Sequence, residues 1–246
     1  MLKSRPMRSR LFSLCVLLLA LPLSAQTASE VEITAEPGHH LVLENQYVRV
    51  FKVVVAPHAA TLMHRHRHDY VFVTLGPSYV ENDVAGKPPV TLKLQDGETW
   101  FLPGGFAHIA KNLSDQPFRN ITIELMQDEA EKSRQSPPPK WGVNGDEDRG
   151  LRILNGGTLD ILFAKDGARG SELQLQPGGL LPKHHHAGPH LVVAVTDLNL
   201  RSDIEGKAPS SVQLKAGDVA WVQGGFTHTL TNVGQQNAKL ITLEFQ

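Results

Sequence analysis

A chain of 246 residues with 24 Lys and Arg against 25 Asp and Glu carries a formal charge of −1, and it lacks the basic cluster that would mark a nucleic-acid footprint. Its one cysteine, Cys15, excludes an internal disulfide and a thiolate metal site. At 41% hydrophobic residues the chain can bury one or two sizeable cores.

In chain order, the first element is not part of the fold. Lys3, Arg5, Arg8 and Arg10 precede an apolar run from Leu11 to Leu21, which ends in Pro22-Leu23-Ser24-Ala25. This is the pattern of a secretory signal peptide over 1–25, cleaved after Ala25. The run is too short for a stable membrane span, and no later stretch is long enough. Ser9 splits Arg8 from Arg10, against a twin-arginine signal, and Leu14 before Cys15 argues against a lipid anchor. The mature chain is therefore expected to be secreted or periplasmic, without cysteine and without a membrane partner.

The remainder repeats at a fixed offset of 120. His64 falls on His184, His66 on His186, Gly97 on Gly217, Gly104-Gly105-Phe106 on Gly224-Gly225-Phe226, His108 on His228, Asn112 on Asn232, and Glu124 on Glu244. Such alignment over both halves signals duplication. Each copy reads as short strands: Val48 to Val55, Tyr70 to Leu75 and Ile121 to Leu125 in the first, and Leu173 to Leu175, Leu191 to Val195 and Leu240 to Phe245 in the second. Gly, Pro and Asp-Gly punctuation bounds them, which predicts an all-β sandwich or barrel. Residues 127–150 hold Pro137-Pro138-Pro139 and Asp146-Glu147-Asp148 and read as a linker, with a short helix near 128–134. The expected domains are 26–126 and 151–246.

The histidines carry the chemistry. Two histidines at i and i+2 on a strand share a face, and neutral imidazole is the commonest transition-metal ligand. His184 and His186 form such a pair, His190 follows past Gly188-Pro189, and His228 comes from a distant strand. A surface His-rich loop is the bland alternative, and the recurrence of the spacing argues against it. His185 should point to the opposite face, His68 to a solvent rim, and His39, His40 and His58 are read as surface or turn residues. Asn112 and Asn232 are expected to hold turns through side-chain hydrogen bonds, and the paired glycines to give the backbone freedom before the ligand histidine.

These residues resemble the cupin family. Gly97-x5-Pro103-x-Gly105-x2-His108-x3-Asn112 matches the second cupin motif at every fixed position, and its copy departs only at Gln223. Gly178-x5-His184-x-His186 matches the first motif, with His190 where that motif has glutamate; in the first half Tyr70 stands there. The resemblance covers roughly 41–126 and 161–246, and it implies two tandem cupin jelly-roll β-barrels joined by a charged, Pro-rich linker. It further implies a divalent transition metal (zinc, copper, iron, nickel or manganese) in a four-His site of His184, His186, His190 and His228. The N-terminal half would hold a three-His site of His64, His66 and His108, with Tyr70 as a weak fourth ligand or a group behind the ligands. The implied activity is a metal-dependent dioxygenase, isomerase or lyase acting on a small oxygen-rich molecule, with Tyr70 and Glu124 as candidate catalytic groups. The alternative is a sugar- or organic-acid-binding or storage cupin with structural metal. Either form is compatible with a monomer or a homodimer.

Overall fold

The computed structural model describes residues 29–126, 150–165 and 167–245. The segment expected to be a signal peptide, most of the expected linker and the helix expected near 128–134 lie outside the described residues. Among the described residues the regular elements are strands, apart from a 3-10 turn at Ile33–Ala35.

The first half contributes β1 (Val31–Glu32), β2 (His39–Glu44), β3 (Val48–Val55), β4 (His64–His66), β5 (Tyr70–Thr74), β6 (Ser78–Val84), β7 (Val90–Leu94), β8 (Thr99–Leu102), β9 (Phe106–Asn112) and β10 (Phe118–Leu125). They form two five-stranded sheets in the orders β1-β4-β9-β6-β7 and β2-β3-β10-β5-β8. The second half contributes β11 (Gly150–Lys165), β12 (Ala168–His186), β13 (His190–Ala194), β14 (Leu198–Ile204), β15 (Ser210–Leu214), β16 (Val219–Val222), β17 (Phe226–Asn232) and β18 (Ala238–Phe245). These make one eight-stranded sheet, because β12 joins in one strand what β3 and β4 divide between them. The expected strand at Leu173 to Leu175 is thus a fragment of a 19-residue strand that carries Gly178 at φ 77°. The 16-residue β11 was not anticipated. Its Gly156-Gly157 pair reads as a break, yet it forms a register shift against β12 and the strand continues past it.

The strand registers repeat at the same offset as the sequence. His64 lies opposite His108, and His184 opposite His228. Arg49, Glu124 and Tyr70 stand side by side across β3, β10 and β5, as Arg169, Glu244 and His190 do across β12, β18 and β13.

Alternation then sorts the side chains. On β10, Ile121, Ile123 and Leu125 join a core cluster shared by both halves, with Val50 and Val71 from the first and Leu191, Val193, Ile241, Leu243 and Phe245 from the second. The opposite faces build separate interiors, around Phe51, Val53 and Phe118 in the first half and Leu173, Leu175 and Leu200 in the second. Each fully buried Leu or Ile contributes about 1.5–3 kcal/mol. Strands covered on both faces read as apolar runs, which is why β13 showed no alternation.

His58 has φ 57° at the position that Gly178 takes in the second half. A left-handed backbone costs an L-residue roughly 1–2 kcal/mol, and its exposed pair with Asp115 contributes little. His58→Gly is expected to raise the unfolding free energy by about 0.5–1 kcal/mol, read from urea titration; a loss of stability would contradict the strain.

Candidate metal centres

In the second half β12 carries His184 and His186 on one face and β17 sets His228 opposite His184. The Nδ1 of His184 donates to the Pro182 carbonyl at 2.8 Å, and the Nδ1 of His186 to the Glu244 carboxylate at 3.3 Å. The Nδ1 of His228 lies 2.7 Å from the Ser202 hydroxyl. The three Nε2 atoms then face one another, 3.1 Å from His184 to His186 and 2.9 Å from His184 to His228. A carbonyl and a carboxylate hold the Nδ1 protons of His184 and His186, so their Nε2 atoms meet as two bare lone pairs. That contact is repulsive unless a cation lies between them. A proton is a poor one here: burial lowers the basicity of His184 and, with the neighbouring histidines, takes His228 to about 3. The donor atoms of all three lie within 4.8 Å of one another, and the 2.9 and 3.1 Å separations come close to the spacing of about 3.4 Å in a tetrahedral imidazole site with ~2.1 Å bonds. The residues present fit a divalent ion.

His190, expected as a fourth ligand, is placed differently. Its ring stacks on His186 at 4.1 Å and 19°. Imidazole lone pairs lie in the ring plane, so parallel stacked rings do not aim at one point. The cause is register: β13 begins at His190 and pairs it with Glu244, beside the trio and not above it. Burial, chiefly, holds His190 at about 4. His185 is exposed on the opposite face and meets Thr227.

In the first half β4 presents His64 and His66, both 1% exposed, and β9 presents His108. The Nδ1 of His64 donates to the Leu62 carbonyl at 2.9 Å, and that of His108 to the Asn82 amide oxygen at 2.6 Å. The Nε2 atoms of His66 and His108 lie 3.2 Å apart, and the buried Nε2 of His64 has no hydrogen-bond partner. Burial is the main reason these rings stay neutral, at about 4 for His64, 2 for His66 and 3 for His108. His39 requires a correction. It is buried, not a surface residue, with its ring 4.7 Å from that of His64. The strand upstream of the repeat folds over the cavity, turning His39 inward and leaving its neighbour His40 exposed. The repeat could not reveal it, because Leu159 occupies the corresponding position.

Tyr70 stacks on His66 at 4.0 Å and 13°, as His190 does on His186. Burial first, and then the charge of Glu124, raises its phenol pKa. Glu124 is 1% exposed and lies 3.8 Å from His66 Nδ1 and 3.4 Å from Arg49. Burial pushes its carboxyl up to about 7 against the pull of Arg49. For Glu244 burial pushes the same way, but the hydrogen bond from His186 and the Arg169 guanidinium at 3.0 Å outweigh it and hold the carboxyl low. The difference arises first because His186 hydrogen-bonds Glu244 at 3.3 Å whereas His66 stays 3.8 Å from Glu124, and then because Arg49 also meets Glu44, at 2.9 Å.

Each set of histidines lines a cavity, of about 230 Å³ in the first half and 240 Å³ in the second. Both have an aliphatic wall, with Val80, Leu92 and Leu94 in the first and Leu200, Val212 and Leu214 in the second, but Phe72 and Trp100 of the first stand where the second has Val192 and Ala220. Asn112 and Asn232 are buried and hold their turns as expected, donating to the carbonyls of Gln116 and Gln236 and accepting from the backbone of Ser114 and Gly234. The paired glycines have separate tasks. Gly105 and Gly225 take positive φ, whereas a Cβ on Gly104 or Gly224 would strike the backbone of His68 or Gly188 within 2.4 Å.

These buried neutral rings set a pH dependence for the metal-free protein. Unfolded histidine binds protons below about 6.5, while the folded rings do so only near 2–4. In that window the unfolded chain takes up more protons, so stability is full above about 6.5 and falls as pH drops. Thermal unfolding in chelator should show a midpoint that decreases from about pH 7 to about pH 5; a flat profile would rule out buried neutral rings.

No protein-family model matches the chain, and no curated protein matches it in sequence. Solved structures do match. A variant of oxalate decarboxylase from Bacillus subtilis is 13% identical at a TM-score of 0.57, over 82% of this chain and 70% of that one. Oxalate decarboxylase from Lactobacillus farciminis, in complex with formate, is 15% identical at 0.58, over 85% and 84%. A cupin 2 conserved barrel domain protein from Leptotrichia buccalis is 12% identical at 0.52, over 85% and 88%. At such identity the likeness is one of fold: this all-β chain is built like cupin barrels, with histidine clusters inside.

Proposed function

We propose that the chain is an exported metal-dependent enzyme of the cupin kind, made of two tandem barrels, that binds a small oxygen-rich molecule at an all-histidine centre. The observation that carries this reading is the convergence of the His184, His186 and His228 Nε2 atoms, two of them bare lone pairs, in a cavity of about 240 Å³. These three would hold the ion in the second half, and His64, His66 and His108 in the first. When bound, the ion supplies Lewis-acid polarisation of a coordinated oxygen. Imidazole donors suit zinc, copper, iron or nickel; the oxalate decarboxylase of Bacillus subtilis has Mn(II) centres, which supports keeping manganese among the candidates.

The protein's own groups have definable tasks. Glu244, braced by Arg169, orients His186; Ser202 holds His228; Pro182 fixes the tautomer of His184. The aliphatic wall restricts water. Neutral donors leave the ion's charge uncompensated within the trio, which favours carboxylate, diketone or catechol-like oxygens. A cavity below the usual 300–1,000 Å³ of ligand pockets favours a molecule of few carbons. Binding or storage without turnover is the second reading, favoured because both nearby carboxylates sit behind histidines of the clusters, Glu124 behind His66 and Glu244 hydrogen-bonded to His186 and Arg169.

The expected outcome for His184→Ala with His228→Ala is loss of one bound metal equivalent and of turnover on a panel of small carboxylates, diketones and catechols. Glu244→Gln should weaken metal binding in the second half by about 10- to 100-fold. Wild-type protein loaded in turn with manganese, iron, copper, nickel and zinc that converts no member of the panel would sink the enzyme reading. A ligand-induced shift without product would favour the binding reading instead.

A further inference from the structure

Two residues set the N-terminal centre apart from its sister. His39 enters from β2 and offers a donor atom within 4.8 Å of those of His64 and His66. Its Nδ1 donates to Glu36 Oε2 at 2.6 Å, leaving Nε2 as its free lone pair. Glu36 is itself only 4% exposed and is held in place by the backbone N–H groups of Gly38 at 2.7 Å and Leu62 at 3.3 Å. At the corresponding positions of the second half stand Leu159 and Gly156. Leu159 lines the C-terminal cavity as His39 lines the N-terminal one.

We infer that His39, oriented by Glu36, completes a four-nitrogen metal site with His64, His66 and His108. The inference rests on the metal-centre reading above. Three imidazoles bring no charge to a dipositive ion, and the position where a fourth ligand was expected holds Tyr70, which stacks on His66. His39 supplies the missing donor, and Glu36 supplies negative charge one hydrogen bond away, an arrangement that fixes the tautomer and raises ligand basicity. The buried Nε2 of His64, without a hydrogen-bond partner, finds its partner in the same ion. Four nitrogen donors suit zinc or copper and would fill a tetrahedral shell, which would make the N-terminal centre the closed one. The C-terminal trio, with His190 stacked aside, keeps positions open.

The test uses the full-length chain with the C-terminal trio silenced by His184→Ala and His228→Ala. Zinc affinity is measured by competition with a chromophoric chelator, and coordination by the visible spectrum of added Co2+. The silenced protein should bind one ion and show the intense bands of four-coordinate cobalt. His39→Leu, which copies the sister half, should lower zinc affinity by roughly a hundredfold and weaken those bands, and Glu36→Gln should lower affinity by about 10- to 100-fold. Unchanged affinity and spectrum in His39→Leu would overturn the assignment while leaving the three-histidine centre standing. If the silenced protein is folded by circular dichroism yet takes up no ion, the assignment and the N-terminal centre both fall. Should His39→Leu not fold, Glu36→Gln decides by the same two measurements, and unchanged values there overturn the assignment.

Discussion

The strands at the centre of this molecule are buried on both faces, and the geometry of the sites follows from that constraint. On β5, β10, β13 and β18 one set of alternate residues meets the core that both halves share, and the other set meets a cavity. A slip of one residue would turn aliphatic side chains into the cavity and Glu124, Thr122 or His190 into the shared core. The register is therefore held by two apolar clusters at once. The β4–β9 and β12–β17 pairings, which bring the histidines face to face, are built on that frame.

Within the frame, the position of each proton matters as much as the position of each ring. Carbonyls, an amide oxygen and carboxylates take the Nδ1 protons of His64, His108, His184, His186 and His39. These contacts come from different elements, yet all expose Nε2. A buried contact between bare lone pairs stores repulsion that a cation converts into binding energy, and burial keeps protons from taking its place.

The two halves of the chain share strand registers and differ in chemistry. Glu124 lacks a hydrogen bond from His66 and meets an Arg49 that also meets Glu44, so burial leaves it easily protonated, while the hydrogen bond from His186 and the Arg169 guanidinium keep Glu244 charged. Tyr70 and His190 stack on equivalent histidines and present different polar atoms. Two wall positions differ too, Phe72 and Trp100 in one half against Val192 and Ala220 in the other, so the two cavities of similar volume favour different guests.

By itself the sequence determined the all-β class, the duplication, six of the clustered histidines and the turn-holding asparagines, because these depend on spacing along a strand or on local hydrogen bonds. It also singled out Tyr70, through its place in the motif, and Glu124, through its recurrence as Glu244, as candidate catalytic groups. Tertiary structure decided the rest. Whether His190 coordinates or stacks depends on how β13 pairs with β18, and spacing past a Gly-Pro turn does not encode that pairing. His39 joins the N-terminal cluster only because β2 packs against β3 and closes over the cavity, a contact between segments that share no motif. A repeat reveals what two halves kept in common; what one half acquired alone is visible only when distant strands are brought together, since burial and proximity are properties of the folded chain.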